Sequence, residues 1–174
     1  MGTFRRSERN HLSPQSPLVC ETLANHPARD NSLWSSELFS PNTPFHRIVT
    51  GYWCQGGDVT NFNGSGRASI FDQSFVNENF NLRHAGPGIL SMCNDDENKN
   101  DSKFNLTFRR LETMDGKHVV FGKVISGLSN IYKIEEFGTK TGKPIKTIIV
   151  ANCGIISKKH KRYPPEIMND VENT

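Results

Sequence analysis

Apolar and polar positions follow two different periods along this chain, and the change falls at Phe45. Before it, the stretch SPLVCETLANH from Ser16 reads as a short helix. Pro17 takes its first position, Leu18, Cys20 and Leu23 its buried side, and Pro27 ends it. Residues 29–44 are rich in turn formers, closing on Pro41-Asn42-Thr43-Pro44. From Phe45 the period moves towards two. Residues 45–49 predict a strand, Thr50-Gly51 a bend and 52–55 a second strand ahead of Gly56-Gly57. Further strands are predicted at 88–92 (GILSM), 104–108 (FNLTF), 118–125 (HVVFGKVI) and 145–153 (IKTIIVANC). Between the last two, SNIYKIEEFG predicts a helix with Ile131 and Ile134 inward and Gly138 as its stop. Many short strands joined by Gly- and Asn-rich turns, with about two helices, predict a mainly β fold: a closed or nearly closed β-barrel. There are no internal repeats.

Composition narrows this picture in a few places. The chain has 174 residues, which suits one domain. A hydrophobic share of 34% and a mean hydropathy of −0.56 predict polar tails around a more compact centre. We divide it into a polar leader (1–15), the domain proper (16–157) and a tail (158–174) that turns from basic to acidic. A net charge of +3 is too mild to argue for nucleic acid. No apolar run has the length of a membrane span, and the N-terminal residues lack the apolar core of a secretory signal. Arg6 stands where a myristoylation motif needs Ser or Thr. The four cysteines are scattered, with no C-x-x-C pair, and read as buried thiols in a reducing compartment. Asn63, Asn100 and Asn105 open glycosylation sequons that we read as chance matches. Gly64-Ser65-Gly66 lacks the third glycine of a dinucleotide fingerprint and reads as a plain loop. KKHKR near the C-terminus reads first as a solvated basic tail and second as a nuclear-localisation patch, so the expected location is the cytoplasm or the nucleus.

The unusual chemistry lies in FHRIVTGYWCQGGD, residues 45–58, where Arg47 and Gln55 interrupt an aromatic-rich run. Phe45 shares strand parity with Arg47, and Trp53 with Gln55, so both pairs are able to face one groove across the Thr50-Gly51 bend. The bland alternative is an arginine snorkelling from a strand edge.

FHRI, CQGGD, NGSG, ENF, GPGILSM and DGKHVVFGKV, in that order and spacing, together resemble the cyclophilin family of peptidyl-prolyl cis-trans isomerases. The resemblance is strong from Phe45 to about Ile156 and weak over 16–44, where SPLVCETL is similar to the family's first helix. It implies an eight-stranded antiparallel barrel capped by two helices, here with its first strands degenerate or missing: either residues 1–15 pair in a degenerate form or the chain is only marginally stable, and we favour the second. It implies no cofactor or metal, and the six histidines form no metal-ligand spacing.

The resemblance also assigns roles. Arg47 would act on the twisted X–Pro bond and Gln55 would hold the substrate backbone. Tyr52, Trp53 and Met114 would wall the proline pocket and His118 would cap it. Read alone, Met114 is equally core filler and His118 a satisfied turn histidine. Gly64, Cys93, Asn94 and Asp95 would line the extended peptide site, with Asn94 offering backbone hydrogen bonds. Several positions depart from the family pattern. Lys103 replaces a neutral amide that supports the arginine, and would bring a like charge near it. Asn105 replaces the aromatic floor, and Thr113 an indole linked to cyclosporin contact. Tyr52 replaces phenylalanine, Trp53 methionine, and Cys93 and Asp95 small alanines. Losing an aromatic floor forfeits about 1.5–3 kcal/mol of apolar burial, with an amide to desolvate in addition. That predicts a loss in catalytic efficiency on the order of a hundredfold. The expected function is therefore an X–Pro isomerase of reduced activity, with a catalytically silent proline-peptide binding module as the alternative. The expected partners are proline-containing segments of client proteins, with weak or no cyclosporin binding and no membrane or nucleic acid, and the expected state is a monomer.

Overall fold

The computed structural model describes residues 19–22, 42–69, 71, 73–96 and 98–151, with the backbone alone at 19–22, 95 and 96. Six strands build one antiparallel sheet: β1 (Val19–Thr22), β2 (Arg47–Val49), β3 (Trp53–Gly56), β4 (Ile89–Asp96), β5 (Lys99–Thr107) and β6 (Val120–Ser126). Their spatial order is β1-β6-β4-β5-β3-β2. A 3-10 turn spans Glu112–Met114, and one helix, α1, spans Leu128–Glu135.

The alternation predicted from Phe45 onward is present. Ile48, Cys54, Leu106 and Leu90 stand opposite one another across β2, β3, β5 and β4. All four are buried and belong to one apolar cluster with Phe45, Phe104, Phe108 and Phe121. Helix α1 closes this side by inserting Ile131 and Ile134 into the same cluster, as its 3.6-residue period predicted. The helix starts at Gly127, whose φ of 80° lies in the left-handed region, and it is finished by Glu135 rather than by Gly138.

Two expectations need correction, and a third is met in part. Residues 19–22 form a strand, not part of a helix: they pair with β6, Cys20 opposite Val124 and Thr22 opposite Gly122. β-Branched Val19 and Thr22 suit the extended chain, and the row of N–H and C=O groups on the outer edge of β6 gives it a partner. The rest of the expected helix lies outside the described residues. Second, 145–151 carry no ladder. Pro44 and Ile149 make an isolated bridge, flanked by hydrogen bonds from Asn42 N to Val150 O and from Val150 N to Thr43 O. Pro44 has no N–H to extend the pairing, and Pro144 enters the run just before Ile145. Third, the described residues contain six strands and one α-helix, and no pairing among them joins β1 to β2 to close the sheet. The expected polar leader (1–15) and tail (158–174) lie outside the described residues. β4 and β5 also run further than predicted, through the polar stretch 93–103. They turn at Asn98, whose φ of 63° is the left-handed conformation that asparagine tolerates.

Edge strand β2 is covered rather than open. Ile48 N donates to Gly142 O, and Thr139 N donates to Ile48 O. The β2–β3 turn is held from the helix side, where Gly51 N donates to the Glu135 carboxylate at 2.7 Å.

Candidate active site

One residue further along each strand, the opposite face of the sheet carries a polar row. Arg47, Gln55, Asn105 and Ser91 stand opposite one another on β2, β3, β5 and β4. Arg47 is exposed, Gln55 half-buried, and Asn105 and Ser91 fully buried. Gln55 Nε2 donates to Asn105 Oδ1 at 2.9 Å and to Cys93 Sγ at 3.3 Å. Asn105 Nδ2 donates in turn to the Met92 carbonyl at 3.1 Å and contacts Ser91 Oγ at 3.5 Å. The Met92 carbonyl also accepts from His118 Nδ1 at 3.1 Å, which leaves Nε2 as the unprotonated nitrogen of a neutral His118 ring. The row is thus a continuous chain of hydrogen bonds from Gln55 to His118. Burial first, and then nearby His84, hold His118 below its usual value near 6.5, against the raising effect of its bond to Met92.

Arg47 has a prepared setting. Its guanidinium lies 5.9 Å from the centre of the Trp53 ring, in cation–π range. Gly142 packs against its stem: a Cβ built there would lie 2.8 Å from Arg47 Cγ, and its φ of +88° already favours glycine. Any larger residue at 142 would displace the arginine or the loop.

Asp58 organises the neighbouring loop. Its carboxylate accepts from the backbone N–H groups of Thr60, Asn61, Asn63, Gly64 and Gly66. Burial alone would raise its pKa, but those amides hold it well below the carboxylate range. The loop so wrapped presents the Gly64 and Gly66 carbonyls to Lys103 Nζ at 3.1 and 2.8 Å. Lys103 is 1% exposed and also meets Asp101 Oδ2 at 3.1 Å, while its own N–H donates to Asp101 Oδ1.

A family model described as cyclophilin type peptidyl-prolyl cis-trans isomerase/CLD matches residues 12–155. The chain belongs to this cyclophilin-type isomerase family. The match includes both the apolar row and the polar row, so the face carrying Arg47 and Gln55 is the one to compare with the residues the family pattern implies.

Of those residues, Arg47, Gln55, Trp53, Cys93, Asn105 and His118 are brought together on this face of the cyclophilin domain. Met114 is buried at the end of the 3-10 turn, and its carbonyl accepts from His118 N at 3.2 Å, so the two are neighbours. Tyr52 is 44% exposed in the β2–β3 turn and meets Trp53 edge to face at 5.9 Å. Gly64 belongs to the Lys103 group, and Thr113 is exposed on the 3-10 turn. The Asn94 side chain is engaged, donating to Lys117 O at 3.1 Å. Asp95 is described by its backbone in β4.

Two expectations about the departures change. Lys103 was expected to set a like charge against Arg47; instead Asp101 and two carbonyls neutralise its ammonium. Asn105 was expected to carry the cost of a desolvated amide, yet both ends of that amide are hydrogen-bonded, so this part of the cost does not arise. Cys54 and Cys93 are both buried thiols, and burial pushes the Cys54 thiol far up. Asp58, Ser91 and Asp101 were not singled out from the sequence. Asp101, two residues before Lys103 in a strand, carries the one signal that strand parity makes readable.

Proposed function

We propose that this cyclophilin domain is a peptidyl-prolyl cis-trans isomerase of reduced activity, acting on X–Pro bonds in client segments. The observation that carries it is the pairing of exposed Arg47 directly opposite Gln55 on a covered, rigidly held hairpin. Rotation about a peptide bond is opposed by about 18–20 kcal/mol of lost resonance. No covalent step is needed. In the twisted state the proline nitrogen becomes pyramidal and basic, and a permanently charged donor beside it stabilises that state over either planar form. Arg47 supplies the charge. Trp53 and Gly142 fix its position, which keeps the reorganisation cost small.

Reduced activity follows from the rest of the row. The floor at Asn105 is an amide rather than an aromatic ring, so a proline ring loses apolar contact worth about 1.5–3 kcal/mol. Both Gln55 Nε2 contacts go to protein groups, Asn105 and Cys93, so binding substrate requires exchanging one of them. That same engagement favours the second reading, a silent module that binds proline peptides.

The eight-stranded, two-helix barrel remains the fold we propose for the complete domain, in a monomer of the cytoplasm or nucleus with weak or no cyclosporin binding. The test is an isomerisation assay on an X–Pro peptide with the wild type, Arg47→Ala and Asn105→Phe. We expect weak activity in the wild type, none measurable in Arg47→Ala, and a gain of about tenfold or more in Asn105→Phe. Equal, high activity in the wild type and Asn105→Phe would overturn the reduced-activity reading. Peptide binding without isomerisation in any folded form would select the binding module.

A further inference from the structure

Two arginines bracket the aromatic pair beside the site, and they stand in different electrostatic company from their neighbours. Arg109 lies two residues past the end of β5, and its guanidinium carbon lies 4.5 Å from the centre of the Tyr52 ring. Tyr52 meets Trp53 edge to face, and Trp53 carries Arg47. The order Arg109–Tyr52–Trp53–Arg47 is therefore one continuous run, an edge-to-face pair of rings with a cation at each end. The backbone holds it in register, because Phe108 N donates to Tyr52 O at 2.9 Å immediately before Arg109. The adjacent Arg110 is neutralised by Glu112 at 2.5 Å. Arg109 and Arg47 are both exposed, and among the described residues neither has a carboxylate partner.

A guanidinium lying over a ring has lost much of its freedom before any ligand arrives, while the N–H donors on its rim stay free for an oxyanion. A surface that presents two such cations raises the local concentration of negative charge. We infer that Arg109 is a specificity-determining residue, selecting client segments with an anionic side chain next to the proline. This rests on the isomerase or proline-peptide reading of the same face. The shared ligand chemistry is an oxyanion, from Asp or Glu or from a phosphorylated hydroxyl.

The test compares peptides that differ at a residue beside the proline. Glu, Gln, phosphoserine, Ser and Lys are each placed before or after it, and kcat/KM or, for a silent protein, Kd is read at low and high salt. In the wild type we expect Glu to exceed Gln by about fivefold at one of the two positions, with Lys lowest. The ratio should fall towards one above roughly 0.5 M salt. Arg109→Gln should bring the Glu/Gln ratio close to one at low salt, and Arg109→Lys should retain part of it. A phosphoserine/Ser ratio well above the Glu/Gln ratio would identify the phosphorylated source; the reverse would identify the carboxylate. If Gln peptides are isomerised or bound but the Glu/Gln ratio is one at both positions and both salts, the inference about Arg109 is wrong while the reading of the site stands. If no peptide is bound or isomerised by the folded protein, both are overturned. The salt and peptide arms use the wild type alone and need no variant to fold.

Discussion

The two faces of the central sheet use the same four strands at adjacent positions and solve opposite problems. On one, Ile48, Cys54, Leu106 and Leu90 leave no polar atom to satisfy. On the other, Arg47, Gln55, Asn105 and Ser91 form a row in which burial is tolerated only because each amide finds a partner. Lys103, on the same face as Asn105, is as buried as Leu106, yet its ammonium needs Asp101 and two loop carbonyls to be there. The apolar row depends on shape, and its errors cost volume. The polar row depends on completeness, and its errors cost uncompensated charge or unpaired amides. The function we propose uses the second face, where Arg47 is left facing solvent.

The strongest way to break this comparison is to remove the buried cation. Lys103→Ala leaves Asp101 without its counter-charge and is expected to destabilise the fold by about 3–5 kcal/mol, at least as much as Leu106→Ala at about 2–5 kcal/mol. Denaturant unfolding of both variants measures this. A Lys103→Ala cost under about 1 kcal/mol would mean that the polar face is not a sealed layer. The double variant Asp101→Asn/Lys103→Gln should regain much of the loss.

A neighbouring pair sharpens the same point. Ile48→Ala should cost about 2–5 kcal/mol of stability, whereas exposed Arg47→Ala should change stability by no more than about 0.5 kcal/mol while removing isomerase activity. Thermal unfolding and the X–Pro assay on each variant check the separation, and a comparable stability loss in both would erase it.

The smallest effect is acid sensitivity, to which the apolar row contributes nothing. His118 has a folded pKa below its usual 6.5, so the unfolded chain takes up the proton first as pH falls. Its contribution is complete above about pH 6.5 and erodes as pH drops through that value towards the folded pKa, by at most about 1.4 kcal/mol per pH unit. Asp115, held below 3.8 against its own burial by the His84 N–H and ring, adds a loss only as pH falls below that value. Unfolding free energies between pH 7 and 5 should decline, and the decline should be shallower in His118→Asn.

How much of this was legible in the chain depended on how far each residue's partner lay. Arg47 and Gln55 were readable as a facing pair because a short bend fixes their register. Ile131 and Ile134 were readable because one helix carries both. Val19–Thr22 read as helix because the apolar spacing of Leu18, Cys20 and Leu23 suits one, while the strand that recruits it begins at Val120. The partners of Asn105 were hidden for a similar reason. They lie on the two strands that flank β5, Gln55 on β3 and Ser91 and Met92 on β4, and no alternation within a strand reveals which strands those are. The run 145–151 had the right period and lacked a continuous neighbour.

Gly142 carries one last consequence, for the order in which the protein matures. The arginine at 47 emerges early in synthesis, but the glycine that seats it and the carbonyl that pins Ile48 emerge nearly a hundred residues later, after α1. Until that loop docks, the hairpin has its sequence but not its setting. Contacts so distant along the chain form slowly. The seating of Arg47 is therefore a late event in folding, and a nascent chain still short of residue 142 carries Arg47 without the surroundings that give it a fixed direction.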